Sequence, residues 1–396
     1  LGRVSGRNFV VDINFDADLA TGNIDIPVMS LSALGIEVDG NLAAKDMQQS
    51  NGSVNGQLNV SGDSLKEILA ALEYADLAEV VQSINLNAGI NGSRNDLNIS
   101  PVDLRMVLAG ATIPNSPVTL GLAANTRLNL ERETLSLDEF SLSGLGLNLT
   151  GKLSGSNIFE SPAFNGEINI PAFNLRRFAQ QLNKELPDTA DSKVFEKVSL
   201  STAFEGSANH MNISKLAMVL DDSNLNGTWS VTDFEQPAIE FDIDIDQINA
   251  DRYLPPTPAE DQVRPVTPET AVGAAAQLPV ETLRSLNSRG QLNIGQLTIS
   301  GARLTDLALA LDAKDGLINL SPVTANLYQG QYQGEIKLDA TGELPELAIK
   351  SGLQGVNIDP LMMDFMGKSS ASGNGNVEFS LTARGADTEA FKQTLN

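Results

Sequence analysis

The sequence predicts a mainly β protein, built as an elongated, repetitive antiparallel sheet with a few short amphipathic helices. Three observations predict it. Short segments alternate apolar and polar residues between Gly, Asn, Asp and Ser turns. One apolar pattern recurs four times with its defect included. A strand-plus-helix unit returns after about 110 residues.

The alternation is plain in Glu240–Asp246, where Phe241, Ile243 and Ile245 take one face and Asp242, Asp244 and Asp246 the other. Leu307, Leu309 and Leu311 form a similar set, as do Val377, Phe379 and Leu381. One oily and one wet face suit an antiparallel sheet solvated on one side.

The recurring pattern places apolar or small residues at i, i+2, i+5 and i+7. Its copies are Leu97, Ile99, Val102, Leu104; Leu135, Leu137, Phe140, Leu142; Met211, Ile213, Leu216, Met218; and Ile318, Leu320, Val323, Ala325. Period two with one phase slip requires a bulge, or a tight link between two strands.

The strand-plus-helix unit reads Gly56–Val60 followed by Ser64–Leu72, and Gly166–Ile170 followed by Asn174–Leu182. Leu65, Ile68, Leu69, Leu72 and Leu175, Phe178, Ala179, Leu182 keep helical spacing, with Ser64 and Asn174 as N-caps. Weaker versions run from Asn249 to Leu254 and from Asp359 to Met366. The offset is 166−56=110, and the segments starting at Asn91 and Glu205 repeat at 205−91=114, which points to internal duplication.

Residues 254–278 carry Pro255, Pro256, Pro258, Pro265, Pro268 and Ala274–Ala276, a linker chemistry with little to bury. The expected organisation is therefore a repeated β array over 1–253, an exposed insertion or linker over 254–278, and a C-terminal β unit over 279–396. The opening on Leu1 and the stop at Asn396 read as an excised soluble portion, and no stretch reaches the roughly 20 apolar residues of a membrane helix.

Composition narrows function. The 396 residues carry 26 basic and 50 acidic side chains, a formal charge of −24, which argues against nucleic-acid binding. With no cysteine, disulfides, thiolate metal sites and cysteine nucleophiles are excluded. The lone histidine, His210, sits in a polar repeat whose other copy carries Asp96, so it reads as a surface residue. Asp242, Asp244, Asp246 and Asp251 have a calcium-loop look, but Gln247 and Tyr253 occupy the places where glycine and glutamate belong. Trp229 reads as a packing residue. No phosphate-binding glycine loop, metal site or cofactor is expected, and the chain reads as a non-enzyme.

The C-terminal third resembles the AsmA family. The resemblance rests on Leu278–Asn287, Gly290–Gly295, Leu311–Gly316, Ala325–Gly334, Leu353–Val356 and, at the end, Gly373–Gly375 with Leu381–Gly385, over roughly 279–396. It implies a bacterial envelope protein in the periplasm, anchored to the inner membrane by a segment absent here, and similar in architecture to bridge-like lipid-transfer proteins. It also implies a sheet curved into a groove or taco, phospholipid or another acyl-chain lipid as partner, and a role in lipid traffic and outer-membrane integrity. The family brings no catalytic residues. The expected groove residues are Ile168, Ile170, Phe241, Ile243, Ile245, Leu292, Ile294, Leu307, Leu309, Leu311, Val377, Phe379 and Leu381. Two other readings stay open at this point: an assembly factor for outer-membrane β-barrel proteins that pairs its sheet edges with client strands, and a secreted, calcium-binding repeat adhesin.

Overall fold

The computed structural model describes residues 10–256 and 279–396, apart from 50, 64, 67–68, 70–73, 367–368 and 370. Much of the helix expected from Ser64 to Leu72, and residues 257–278 of the Pro-rich segment, lie outside the described residues. The chain divides into two compact units, Leu1–Leu186 with Val198–Ala208, and Pro187–Lys197 with Asn209–Asn396.

The first unit is a meander of β1 (Val10–Asp18), β2 (Asn23–Ala33), β3 (Ile36–Lys45), β4 (Ser53–Gly62), β5 (Val81–Ser93), β6 (Asp96–Leu108), β7 (Val118–Asn129), β8 (Thr134–Gly144), β9 (Leu147–Ser156), β10 (Ala163–Phe173) and β11 (Val198–Ser207). Each strand pairs antiparallel with the next. Two-residue turns close several hairpins. Leu34–Gly35 and Leu145–Gly146 hold both residues at positive φ, the turn geometry whose twist matches a hairpin.

The second unit holds β12 (His210–Leu220), β13 (Ser223–Thr232), β14 (Ala238–Asn249), β15 (Ser288–Ile299), β16 (Ala302–Lys314), β17 (Leu317–Leu327), β18 (Gly330–Asp339), β19 (Glu346–Asn357) and β20 (Asn374–Arg384). Neighbours again pair antiparallel, with one exception. β14 and β15 are parallel, Ile243 facing Leu292 and Ile245 facing Ile294. An all-antiparallel sheet is the expectation from alternation alone. A parallel pair needs a long crossover, because the chain leaves one end of a strand and re-enters at the other. The connection between Asn249 and Ser288 is that crossover, and it contains the Pro-rich segment.

All four copies of the phase slip are bulges within a single strand. Register shifts fall between Ile99 and Val102, Leu137 and Phe140, Ile213 and Leu216, and Leu320 and Val323. In each, two residues stand opposite one on the next strand, so i+2 and i+5 keep the same face. A fifth copy lies in β2, where Ile26 and Met29 flank the shift.

Helices punctuate the meander. Leu175–Gln181 follows β10, and the Asn174 side chain accepts a hydrogen bond from the Arg177 N–H at 2.9 Å, as its N-cap role predicts. Phe178 packs edge-on against Phe173, with ring centroids 5.9 Å apart. Other short helices are Ala75–Ala78, Val280–Ser285, Ile358–Met366 and Thr388–Thr394. Strand parity puts the connections after β4 and β10 at one rim of the first unit, and those after β14 and β19 at one rim of the second. A buried cluster of Ile36, Leu65 and Val81, ringed by Val38, Val60, Ile84 and Met106, seats the first of these connections on the sheet.

Candidate functional site

The site is a face rather than a pocket. In the first unit the register lines up Val11, Leu31, Val38, Val60, Leu86, Leu104, Leu122, Leu142 and Leu149, one per strand from β1 to β9. The next row runs Ile13, Met29, Gly40, Leu58, Ala88, Val102, Ala124, Phe140, Gly151, Ile168 and Thr202, across all eleven strands. At about 4.8 Å per strand, ten steps make a wall about 48 Å long. The opposite face of the same strands carries Ser30, Asp39, Asn59, Asn87 and Asp103 in register.

The second unit repeats the arrangement. One row is Ile213, Trp229, Phe241, Gly290, Leu311, Leu320, Ile336, Ile349 and Leu381, one residue from each of its nine strands. A second is Leu216, Gly227, Ile243, Leu292, Leu309, Val323, Gly334, Ser351 and Phe379. A third brings Met218, Leu225, Ile245, Ile294 and Leu307 together. The register therefore gathers eleven of the expected groove residues onto one face of this unit. Ile168 and Ile170 belong to the separate wall of the first unit, where Ile170 faces Leu200.

Most of these side chains are neither buried nor free. Ile294 is 7% exposed, but Ile168, Ile243, Leu292, Leu309 and Leu311 are half-buried, and Val377 and Phe379 are exposed. Among the described residues, an aliphatic face left partly open through strand after strand lacks the second layer that ordinarily covers a sheet.

Glycines shape the wall. Met29, Phe140, Leu216 and Val323, the i+5 residues of four copies, each face a glycine exactly one hairpin away: Gly40, Gly151, Gly227 and Gly334. A Cβ on Gly151 would lie 2.8 Å from the Phe140 ring, and one on Gly290 would lie 2.6 Å from that of Phe241. The rings lie over bare backbone, which keeps the wall smooth. The repeated spacing of eleven residues from i+5 to glycine is the sequence signal that could have located these positions.

Sequence reading did not find the knot at the rim of the second unit. Asp221, 9% exposed, accepts hydrogen bonds from the N–H groups of Phe195 (2.7 Å), Glu196 (3.0 Å) and Lys197 (3.2 Å) and from the Tyr253 hydroxyl (2.9 Å). Arg252 bridges Asp191 at 2.8 Å and Asp222 at 2.7 Å. Val194 is fully buried, and Phe195 packs edge-on against Tyr253. Burial, then the Asp221 hydrogen bond, pushes the Tyr253 phenol far up, so it stays protonated. The Lys193 N–H, then Arg252, holds the Asp191 carboxyl below its ordinary value. These residues tie the segment 187–197 to three strand ends.

Two aspartates of β14, and Asp251 just beyond it, are engaged in hydrogen bonds. Asp244 accepts from Asn293, Asp246 from the side chain and N–H of Asn224, and Asp251 from the Gly301 N–H. His210 opens β12 at an exposed position, and Trp229 stands in the apolar wall between Ile213 and Phe241.

The sequence model of the AsmA family matches residues 172–396, more than half of the chain. The chain belongs to the AsmA family. It is 20% identical over 282 residues to Protein AsmA of Escherichia coli (strain K12), a match covering 68% of this chain and 45% of that protein. The chain thus spans less than half the length of this relative. No solved structure matches it. AsmA proteins form a bacterial envelope family, which puts the function of this member at the envelope. Among the described residues no helix is long and apolar enough to cross a membrane.

Proposed function

We propose that this AsmA-family chain is a non-catalytic lipid-binding wall of the periplasm. It belongs to a protein anchored to the inner membrane, and it supports phospholipid movement between the inner and outer membranes and outer-membrane integrity. The observation that carries the reading is the set of half-open aliphatic rows running through every strand of each unit. Burying a methylene contributes about 0.8 kcal/mol, so a 16-carbon chain laid along a row gains on the order of 10 kcal/mol before ordering costs.

The chemistry of the rows suits passage. Leu, Ile, Val and small residues repeat with no cluster of polar groups to fix a headgroup. An acyl chain can therefore shift from strand to strand with little change in contact. The wet face, dense in Asn, Asp and Ser, stays in water and keeps the sheet soluble.

The test is extraction of lipid from the protein purified from membranes without added detergent, with native mass spectrometry of the same sample. The expected result is phospholipid bound in more than one copy per chain. A protein that carries no lipid and takes up none from phospholipid vesicles would refute the reading.

A further inference from the structure

We infer that Tyr332 and Ser351 form an ester-binding point in the apolar wall of the second unit, where the Tyr332 hydroxyl donates a hydrogen bond to the ester carbonyl of an acylglycerol lipid. The inference rests on the lipid-binding reading and names the part of the lipid that this stretch of wall recognises.

Apolar rows cross β17 to β20. Val323, Gly334, Ser351 and Phe379 make one, and Ala325, Tyr332, Leu353 and Val377 the next. Tyr332 and Ser351 bring the polar atoms into these two rows, whose other members are aliphatic, aromatic or glycine. They are diagonal neighbours, since Tyr332 faces Leu353 and Ser351 faces Gly334, and an aromatic side chain reaches that far. Gly334 makes the reach possible. A Cβ there would collide with the Tyr332 hydroxyl and lie 2.8 Å from the ring carbon that bears it. The ring thus lies over bare backbone, and its hydroxyl meets the Ser351 Oγ at 3.0 Å.

Two hydroxyls carry two O–H donors, and the bond between them uses one. Among the described residues neither has a second partner. Ser351 is 7% exposed and Tyr332 is half-buried, so the donor within reach of a ligand is the phenol, with Ser351 donating to it from beneath. An O–H set among aliphatic side chains suits an acceptor that is polar, uncharged and attached to an acyl chain. An ester carbonyl is that group. A phosphate or a free carboxylate is not, because it would lose its water with no cation beside it. Lys337 and Lys350 alternate onto the wet face, opposite Ala348 and Glu335. A single hydrogen bond registers the glycerol end of the lipid against the wall and still lets it pass.

The probe is an equal mixture of dipalmitoyl phosphatidylcholine and its dihexadecyl ether counterpart, which lacks the ester carbonyls, presented as vesicles to the delipidated 396-residue protein. Gel filtration removes the vesicles, and mass spectrometry reads the ratio of the two lipids carried. The unaltered protein is expected to carry the ester lipid in about threefold to tenfold excess, the worth of one hydrogen bond. Tyr332→Phe keeps the ring over Gly334 and is expected to carry the two lipids equally. Ser351→Ala keeps the phenol and is expected to retain a preference for the ester. Infrared spectra of the complexes give a second reading: the ester carbonyl stretch is expected at lower frequency in the unaltered protein than in Tyr332→Phe. Equal loading in the unaltered protein, or a preference that survives Tyr332→Phe, overturns the inference and leaves the wall standing. Displacement of the ester lipid by an equal concentration of palmitate also overturns it, since a carboxylate would then be the ligand. A protein that carries neither lipid overturns the wall and this inference together, so the two failures are distinguishable.

Discussion

Replacing Leu309 and Leu311 together with aspartate breaks two adjacent apolar rows at their centre. Leu309 stands between Leu292 and Val323, and Leu311 between Gly290 and Leu320. Both are half-buried, so the change costs the fold only part of a core substitution, about 1–2 kcal/mol each. The cost to a bound acyl chain is larger. If the two carboxylates deprive four or five methylenes of apolar contact, the loss is about 3–4 kcal/mol, a weakening of roughly 100- to 1000-fold. The assay is titration of delipidated protein with a fluorescent fatty-acyl probe, beside urea unfolding of the same variant. Ala308→Asp with Ala310→Asp is the control. Those residues lie on the wet face of the same strand, opposite Asn293 and Gln291, and are expected to leave affinity unchanged. A folded Leu309→Asp, Leu311→Asp protein that binds the probe as before would refute the reasoning.

Three further outcomes follow from the geometry. Asp221→Ala strands three backbone N–H groups and the Tyr253 hydroxyl, and is expected to lower unfolding free energy by about 3 kcal/mol in urea titration. Gly290→Val sets a Cβ against the Phe241 carbonyl oxygen as well as its ring and is expected to cost about 1–3 kcal/mol, of which Phe241→Ala relieves only the ring's share. The carboxyls of Asp246 (held down first by the Asn224 side chain) and Asp339 (first by the Thr341 side chain) lie below their ordinary values. Such groups stabilise the fold above the ordinary Asp range, and that stability is lost as pH falls through the depressed values. Thermal stability is therefore expected to fall below about pH 4, and a melting temperature that rises on acidification would contradict this.

The sequence read well where one physical rule governed. Alternation placed Phe241, Ile243, Ile245 and Leu307, Leu309, Leu311 on one face, because a strand allows no other period. The phase slip located the bulges at Ile99, Leu137, Ile213 and Leu320, since one extra residue is the smallest defect that restores the face. Asn174 was legible as an N-cap because its partner, Arg177, is three residues away. The parallel pairing of β14 with β15 was not legible, since alternation says nothing of strand direction. Nor was the union of Asp191, Asp221 and Tyr253. Each is unremarkable locally, and only the return of three strand ends to one rim brings them together. The rows of Leu31, Val38, Val60 and Leu86 needed the register of every hairpin, which turn lengths and bulges set jointly.

The most direct test of the open wall is photo-cross-linking with a phospholipid that carries a diazirine on its acyl chain, followed by mapping of the labelled residues. Label is expected on Leu104, Leu122 and Leu142 in the first unit and on Leu292, Leu309 and Leu311 in the second, with Asn87, Asp103, Asn293 and Asp312 unlabelled. Label spread evenly over both faces, or confined to the wet one, would contradict the account.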